Sequence, residues 1–191
     1  MNMKTTVKLT INQKQVVAEK GMTILEAARK AGIQIPTLCH DDRLKPAGDC
    51  RLCMVEIARG NRRKLVASCV HEAEDGLVVT TETEKIRRIR RLLVELTWPA
   101  SSGFGKELGV TGSRFTPELM DCSLCGKCVR FCSEVAKKNA IYFKGRGVDR
   151  RPAIVPGMGD ACASCVSSAE CFGLCTGGWI VRERARDLAN V

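Results

Sequence analysis

Cysteines are the residues whose number and spacing point most directly to chemistry in this chain, which has twelve among 191 residues. They form three sets of four, spaced C-x10-C-x2-C-x15-C, C-x2-C-x2-C-x3-C and C-x2-C-x5-C-x3-C: Cys39, Cys50, Cys53 and Cys69; Cys122, Cys125, Cys128 and Cys132; and Cys162, Cys165, Cys171 and Cys175. Where thiols stay reduced, clustered cysteines bind metal more often than they form disulfides. Three sets of four use every cysteine and predict three metal centres.

The N-terminal residues and the aliphatic stretches indicate the cellular compartment in which we expect the protein. The N-terminus alternates polar and apolar residues, as a β-strand does, and lacks the continuous apolar core of a secretory signal. The longest aliphatic stretch, Leu92–Leu96, is interrupted by Glu95, so we predict no transmembrane segment. We therefore expect a cytoplasmic protein, in which the thiols remain reduced.

The two C-terminal sets have the spacing of tandem [4Fe-4S] sites. Zinc is the main alternative, because paired C-x2-C knuckles are common zinc ligands. Three cysteines at two consecutive x2 gaps, however, suit three corners of a cubane better than one small tetrahedral ion. In two-cluster ferredoxins with this spacing, the fourth cysteine of each run ligates the other cluster. The predicted ligand sets are therefore crossed: Cys122, Cys125, Cys128 and Cys175 for the first cluster, and Cys132, Cys162, Cys165 and Cys171 for the second.

The N-terminal set, Cys39, Cys50, Cys53 and Cys69, suits a [2Fe-2S] cluster. In plant-type [2Fe-2S] ferredoxins, four residues separate the first cysteine from a C-x2-C pair. Ten residues separate Cys39 from Cys50, so the corresponding loop is longer here. Backbone amides near Gly48 can approach the cluster sulfurs. A single zinc ion is the alternative at this site, because four widely spaced cysteines are less specific than the tandem runs.

The net charge of +10 would by itself suggest a nucleic acid or another anionic surface as partner. That count treats each cysteine as neutral. Three oxidised clusters with their thiolate ligands carry about −2 each, which leaves the holoprotein at about +4. The basic residues therefore mostly offset anionic cofactors, and we expect no nucleic-acid partner. Lys127 and Arg51, next to predicted ligands, are interpreted as ordinary exposed charges, with an electrostatic increase in the reduction potential of a cluster as the alternative.

Hydrophobic periodicity predicts an α+β domain over residues 1–83. Residues 4–11 and 16–18 are typical of a hairpin, and Thr23 with Glu26 forms a capping box at the start of a helix. Three more short strands are predicted, at residues 54–58, 64–68 and 77–81.

Three further segments are predicted after this domain: a basic helix and linker at 84–115, a second domain at 116–181, and a C-terminal helix at 182–191. The basic helix has an apolar stripe surrounded by five cationic side chains: Lys85, Arg87, Arg88, Arg90 and Arg91. We interpret these as a solvated face, with a docking surface for an acidic partner as the alternative.

Several stretches also carry a specific resemblance. The sequences P-T-L-C-H, G-D-C-R-L-C-M-V-E-I and A-S-C-V-H-E-A-E-D-G-L-V-V-T-T-E-T-E-K-I-R-R resemble the N-terminal domain of the iron–sulfur subunit of complex I. The same domain occurs in NAD-linked hydrogenases, formate dehydrogenases and electron-bifurcating enzymes, and C-G-K-C-V-R-F-C-S-E-V resembles their tandem [4Fe-4S] module. The resemblance covers most of residues 4–83 and 116–180. It implies a β-grasp [2Fe-2S] ferredoxin-like domain followed by a bacterial two-[4Fe-4S] ferredoxin-like domain.

The chain departs from these relatives in two places. Full-length relatives usually carry a further cluster between the two domains, held by one histidine and three cysteines, and residues 84–115 contain neither residue type. We therefore predict that this cluster is missing, and we assign ordinary loop roles to His40 and His71. After Cys175 the sequence reads T-G-G-W in place of a proline-containing turn.

No segment of the sequence predicts a substrate site. It has no Walker loop, no glycine-rich dinucleotide fingerprint after a strand, and no Ser–His or Cys–His pair outside the cysteine loops. The resemblance implies a non-catalytic subunit that passes single electrons between a flavin- and NAD(P)(H)-binding subunit and another redox subunit. The alternatives are a freely diffusing multi-cluster ferredoxin and a cluster-containing regulator that binds nucleic acid.

Overall fold

The computed structural model describes residues 6–115, 122–159 and 174–175. The predicted C-terminal helix at 182–191 lies outside these residues. In the described part of the chain, no helix is long and apolar enough to cross a membrane.

The chain divides into two compact units, one formed by Met1–Leu38 with Pro46–Leu93 and the other by Cys39–Lys45 with Val94–Val191. The short segment Cys39–Lys45 therefore belongs to the second unit, although the residues on both sides of it in sequence belong to the first. The predicted domain boundaries remain predictions.

The first unit is built on five strands: β1 (Thr6–Ile11), β2 (Lys14–Glu19), β3 (Met54–Arg59), β4 (Arg62–Ala67) and β5 (Val78–Thr80). They form one mixed sheet in the order β2-β1-β5-β3-β4, in which β1 is parallel to β5 and the other neighbours are antiparallel. Asn12 and Gln13 close the predicted N-terminal hairpin with φ angles of 48° and 68°, as a tight two-residue turn requires. The helices α1 (Ile24–Lys30) and α2 (Glu84–Leu96) follow β2 and β5 in sequence. A mixed sheet with helices agrees with the α+β prediction and is consistent with a 2Fe-2S ferredoxin-like domain.

Helix α1 begins at the predicted capping box. The Thr23 hydroxyl accepts a hydrogen bond from Glu26 N at 3.2 Å, and the Glu26 carboxylate accepts one from Thr23 N at 2.7 Å. The helix shares one hydrophobic cluster with the sheet, which includes Leu9, Ile11, Ile24, Leu25, Val55 and Val79. Cys53 and Cys69 belong to the same cluster. The core of the unit therefore fixes the position of two predicted ligands.

Helix α2 confirms the predicted amphipathic helix, but one of its basic residues is not solvated. Arg90 is 3 % exposed. Its guanidinium donates hydrogen bonds to the carbonyl oxygens of Leu52, Met54 and Thr81 at 3.1, 3.0 and 3.0 Å, and to the Glu82 carboxylate at 2.6 Å. The interpretation as a solvated face is therefore wrong at Arg90, because a planar guanidinium can satisfy several carbonyls at once. The other four basic residues are exposed as expected: Lys85, Arg87, Arg88 and Arg91.

Among the described residues, the second unit contains short elements: the 3-10 turns Ser102–Phe104 and Gly147–Asp149, the helices α3 (Gly105–Leu108) and α4 (Lys127–Glu134), and a hairpin of β6 (Ile141–Lys144) and β7 (Arg151–Ile154). Within the predicted linker, α3 and its flanks bury Leu108 and Val110. A Cβ atom on Gly105 would lie 2.4 Å from the carbonyl oxygen of Val110, so only glycine fits there. The segment is therefore packed rather than extended.

Candidate metal centres

Four cysteines of the second unit line one small cavity: Cys122, Cys125, Cys128 and Cys175. The first two precede α4, the third lies in its first turn, and the fourth comes from a distant part of the chain. Apolar side chains from β6 and β7, Phe143 and Pro152, also contribute to the wall. These four cysteines are the set predicted for the first [4Fe-4S] cluster, and their shared cavity places Cys175 beside the first run.

The electrostatics of this cavity favour a cationic occupant. Burial raises the pKa of Cys122 to about 11, a hydrogen bond from Leu124 N at 3.4 Å opposes the rise, and the neighbouring thiolates add to it. Burial raises the pKa of Cys128 further, again with a contribution from its neighbours. Thiolates crowded in this way need positive charge between them, which an iron–sulfur core supplies. The donor set therefore fits a [4Fe-4S] cluster.

The described side chains do not form a site for a single metal ion. Across residues 6–115, 122–159 and 174–175, no group of three or more histidine, cysteine or acidic side chains has the spacing of ligands to one ion. The four cysteines therefore share a cavity, but their side chains are not arranged as the ligands of one metal ion.

Lys127, the first residue of α4, also lines the cavity and is only 9 % exposed. Hydrogen bonds from Arg43 lower the pKa of Asp41, and the positive charge of Lys127 adds a smaller effect in the same direction. The interpretation of Lys127 as an ordinary exposed charge is therefore wrong, because its side chain is largely buried and lines the cysteine cavity. Arg51 is exposed, as expected, with a φ angle of 56°.

Cys132 does not line this cavity. It is 5 % exposed and packs with Ala140 and Ile141. Its sulfur accepts a hydrogen bond from Ala140 N at 3.0 Å. The predicted partners of Cys132 lie outside the described residues: Cys162, Cys165 and Cys171. The second [4Fe-4S] set therefore stays a prediction.

The cysteines of the N-terminal set are buried or half-buried. Cys53 and Cys69 are each 1 % exposed in the core of the first unit, where Cys50 is half-buried. Ser68 donates two hydrogen bonds to the carbonyl oxygen of Cys53, from its main-chain N at 3.2 Å and its hydroxyl at 2.9 Å. Because Ser68 adjoins Cys69, these bonds hold the two cysteine backbones close together. Cys39 is also buried, at 1 % exposure, in the second unit.

The two histidines make loop contacts. His40 Nε2 lies 3.0 Å from the Asp42 carboxylate, and His71 Nδ1 lies 3.0 Å from the carbonyl oxygen of Glu72. His40 Nδ1 is buried and has no hydrogen-bond partner among the described residues. These contacts agree with the loop roles assigned from the sequence.

Comparison with known proteins defines the class of the chain. Residues 4–84 match the family described as a 2Fe-2S iron-sulfur cluster binding domain. The match covers the mixed sheet of the first unit, and that unit contains three of the four cysteines predicted to bind the [2Fe-2S] cluster. The chain is therefore an iron–sulfur protein with an N-terminal 2Fe-2S domain.

Most of the chain is also similar to subunits of larger oxidoreductases. It is 31 % identical over 176 aligned positions to the mitochondrial 78 kDa subunit of NADH-ubiquinone oxidoreductase from Candida albicans, in an alignment that covers 75 % of this chain and 24 % of the relative. It is 33 % identical over 197 positions to NADPH-Fe(3+) oxidoreductase subunit alpha of Geobacter sulfurreducens (strain DL-1 / KN400), in an alignment that covers 83 % and 23 % respectively.

A solved structure is similar over more than three quarters of each of the two chains. A chain of an NAD+-reducing [NiFe]-hydrogenase in the H2-reduced state matches with a TM-score of 0.70 and 28 % identity, covering 79 % of this chain and 76 % of that one. The chain spans about a quarter of the length of the curated relatives it matches. Residues 4–84 belong to the 2Fe-2S domain family, and the chain is similar over most of its length to subunits of NADH- and NADPH-linked oxidoreductases, which confirms the resemblance.

Proposed function

We propose that this chain relays single electrons within a multisubunit NAD(P)(H)-linked oxidoreductase through one [2Fe-2S] and two [4Fe-4S] clusters. The observation that carries the proposal is the cavity in which Cys175 joins the first cysteine run. Four half-buried thiols in that arrangement suit a redox cluster rather than a substrate. Similarity over most of the chain supports the proposal, because the relatives are subunits of NADH- or NADPH-linked oxidoreductases.

Each proposed cluster has four cysteine ligands. The sets are Cys39, Cys50, Cys53 and Cys69 for the [2Fe-2S] cluster, Cys122, Cys125, Cys128 and Cys175 for the first [4Fe-4S] cluster, and Cys132, Cys162, Cys165 and Cys171 for the second. On this proposal the first domain is a β-grasp ferredoxin and the second a bacterial-type two-[4Fe-4S] ferredoxin. Support for the crossing comes from Cys175, which lines the cavity with the first three cysteines of the run, whereas Cys132 packs nearby without lining it.

Bound clusters supply the one-electron chemistry, and the chain sets their environment. Ala140 N donates to the sulfur of Cys132 at 3.0 Å, and Leu124 N donates to the sulfur of Cys122 at 3.4 Å. Hydrogen bonds to ligand sulfurs stabilise the more negative, reduced state and raise the reduction potential. The buried ammonium of Lys127 acts in the same direction. Apolar walls such as Phe143 limit the access of water.

The proposed partners are a flavin- and NAD(P)(H)-binding subunit and a further redox subunit, of the hydrogenase, formate dehydrogenase or electron-bifurcating type. The proposed location is the cytoplasm. A diffusible multi-cluster ferredoxin is the second candidate, and it differs in needing no stable complex.

Metal analysis tests the clusters. We expect an anaerobically purified holoprotein to contain about ten irons and a similar amount of acid-labile sulfide per chain, because two, four and four irons are assigned. The dithionite-reduced protein should show EPR signals of both [2Fe-2S] and [4Fe-4S] types. The matched control is the same preparation after exposure to a chelator in air. A colourless protein that contains zinc in place of iron would contradict the proposal.

Size-exclusion chromatography of native extract tests the relay assignment. We expect the chain to co-elute with a flavoprotein, because a relay subunit must stay close enough to its donor for electron transfer. The recombinant chain alone serves as the reference for its own elution volume. Elution of the native chain at that reference volume, with its clusters intact, would favour the diffusible ferredoxin. Salt-sensitive retention on heparin would instead favour the nucleic-acid-binding regulator.

A further inference from the structure

Helix α4 holds both ends of the segment Cys39–Lys45 by hydrogen bonds. The Arg130 guanidinium donates through Nη2 to the carbonyl oxygen of Cys39 and through Nη1 to that of Lys45, the latter at 2.8 Å. One turn further along the helix, the Glu134 carboxylate accepts a hydrogen bond from Lys45 N at 2.8 Å. Arg130 therefore bridges the first and last residues of the segment with a single side chain.

Side chains within the segment also pack on α4. Leu44 is 5 % exposed and shares a small hydrophobic cluster with Phe131 and Leu174. The Arg43 guanidinium lies 5.2 Å from the centroid of the Phe131 ring, within the range of a cation–π contact. These contacts add Arg43 and Leu44 to the hydrogen-bonded ends, so the conformation of the segment depends on α4 at both of its ends.

The residues joined in this way belong to two different proposed clusters. Cys39 is a proposed [2Fe-2S] ligand, whereas Cys128 and Cys132 on α4 are proposed ligands of the two [4Fe-4S] clusters. Arg130 lies between the latter two in sequence. We propose that Arg130 is a positioning residue that couples the [2Fe-2S] ligand Cys39 to the helix of the [4Fe-4S] ligands. This inference rests on the ligand sets of the proposed function.

Arg130 acts through both geometry and charge. Its planar fork reaches two carbonyl oxygens at once, which fixes the main chain of Cys39 and thereby the direction of its thiolate. Its guanidinium lies next to Cys39, a proposed ligand of an anionic cluster. A nearby cation stabilises the reduced state, because reduction makes the cluster more negative. We therefore expect Arg130, which lies on the helix of the [4Fe-4S] ligands, to affect both the EPR line shape and the midpoint potential of the [2Fe-2S] cluster.

Three substitutions separate these contributions in the full-length holoprotein. Arg130→Gln removes the charge and the fork, whereas Arg130→Lys keeps the charge but supplies one ammonium in place of the fork. The matched control is Arg146→Gln, which removes the same charge from an exposed position in the β6–β7 connection. The readouts are iron content, the EPR line shape of the reduced [2Fe-2S] cluster at a temperature at which the [4Fe-4S] signals have broadened away, and its midpoint potential.

We expect Arg130→Gln to alter the [2Fe-2S] line shape and lower its midpoint potential, relative to wild type and to Arg146→Gln. Arg130→Lys should alter the line shape while keeping the potential nearer to wild type. If Arg130→Gln does not fold, Arg130→Lys tests the inference, and its [2Fe-2S] line shape should still differ from that of the wild type. A [2Fe-2S] line shape and potential that match wild type in every Arg130 variant that folds would overturn the inference. Absence of a [2Fe-2S] signal from the wild type would instead contradict the proposed function itself.

Discussion

Replacing Cys175 by alanine in a chain that already lacks Cys122 is expected to cost no further iron. Both residues are proposed ligands of the first [4Fe-4S] cluster, so Cys122→Ala alone and the double variant with Cys175→Ala should each retain about six irons per chain. The physical basis is the shared cavity, in which Cys175 faces the first cysteine run although a long stretch of sequence separates them. Iron and acid-labile sulfide analysis of anaerobically purified protein measures the effect.

A second double variant provides the matched control. Combining Cys122→Ala with Cys132→Ala also removes two cysteines, but the proposal places these in different clusters. Only the [2Fe-2S] cluster should then remain, with about two irons per chain. The reverse pattern, with about two irons after loss of Cys122 and Cys175 and about six after loss of Cys122 and Cys132, would show that each run ligates its own cluster.

Replacing Arg90 by alanine is expected to be the most destabilising single change on α2. The substitution leaves the carbonyl oxygens of Leu52, Met54 and Thr81 without the buried guanidinium that they share. Unsatisfied buried carbonyls cost about 1–3 kcal/mol each, so we expect a loss of at least about 3 kcal/mol. For a unit of this size the loss corresponds to a melting temperature lower by roughly 10 °C or more.

The location of two of these carbonyls makes the prediction specific. Leu52 and Met54 lie on either side of Cys53, a proposed [2Fe-2S] ligand, so the visible absorption of the [2Fe-2S] cluster should bleach at a lower temperature in Arg90→Ala. The measurement is a melt at a fixed scan rate under anaerobic conditions, followed by absorption and circular dichroism. Arg88→Ala is the matched control, because Arg88 is an exposed arginine on the same helix and should change stability by no more than about 0.5 kcal/mol. Equal melting temperatures for the two variants would contradict the role assigned to Arg90.

The local elements were predictable from the sequence because their determinants lie within a few residues of one another. The capping box of Thr23 and Glu26, the hairpin closed by Asn12 and Gln13, and the amphipathic helix α2 all form where the pattern indicates. Periodicity in these segments decides which residues face the core. Periodicity does not predict which groups a buried side chain contacts.

The burial of individual charges shows the limit of that reasoning. Arg90 and Lys127 belong by sequence to basic or cysteine-rich stretches, in which a cation is usually solvated. In the structure Arg90 is 3 % exposed and Lys127 is 9 % exposed. Arg90 is held by groups remote in sequence, the carbonyls flanking Cys53. Lys127 lines a cavity that its sequence neighbours share with Phe143, Pro152 and Cys175. A guanidinium or ammonium group remains charged when buried only if such partners are in place.

The sequence alone predicted the chemistry proposed for this protein, because twelve cysteines in three spaced sets are typical of iron–sulfur ligands. Ligand type and spacing are local properties, and they predict the cluster types without reference to the rest of the fold. Only the tertiary structure decided most of the contacts between distant residues. The tandem spacing had already predicted that Cys175 joins the first run, but no sequence pattern predicted that the segment Cys39–Lys45 lies on α4. Such contacts arise from packing between remote segments and leave no periodic signal in the chain.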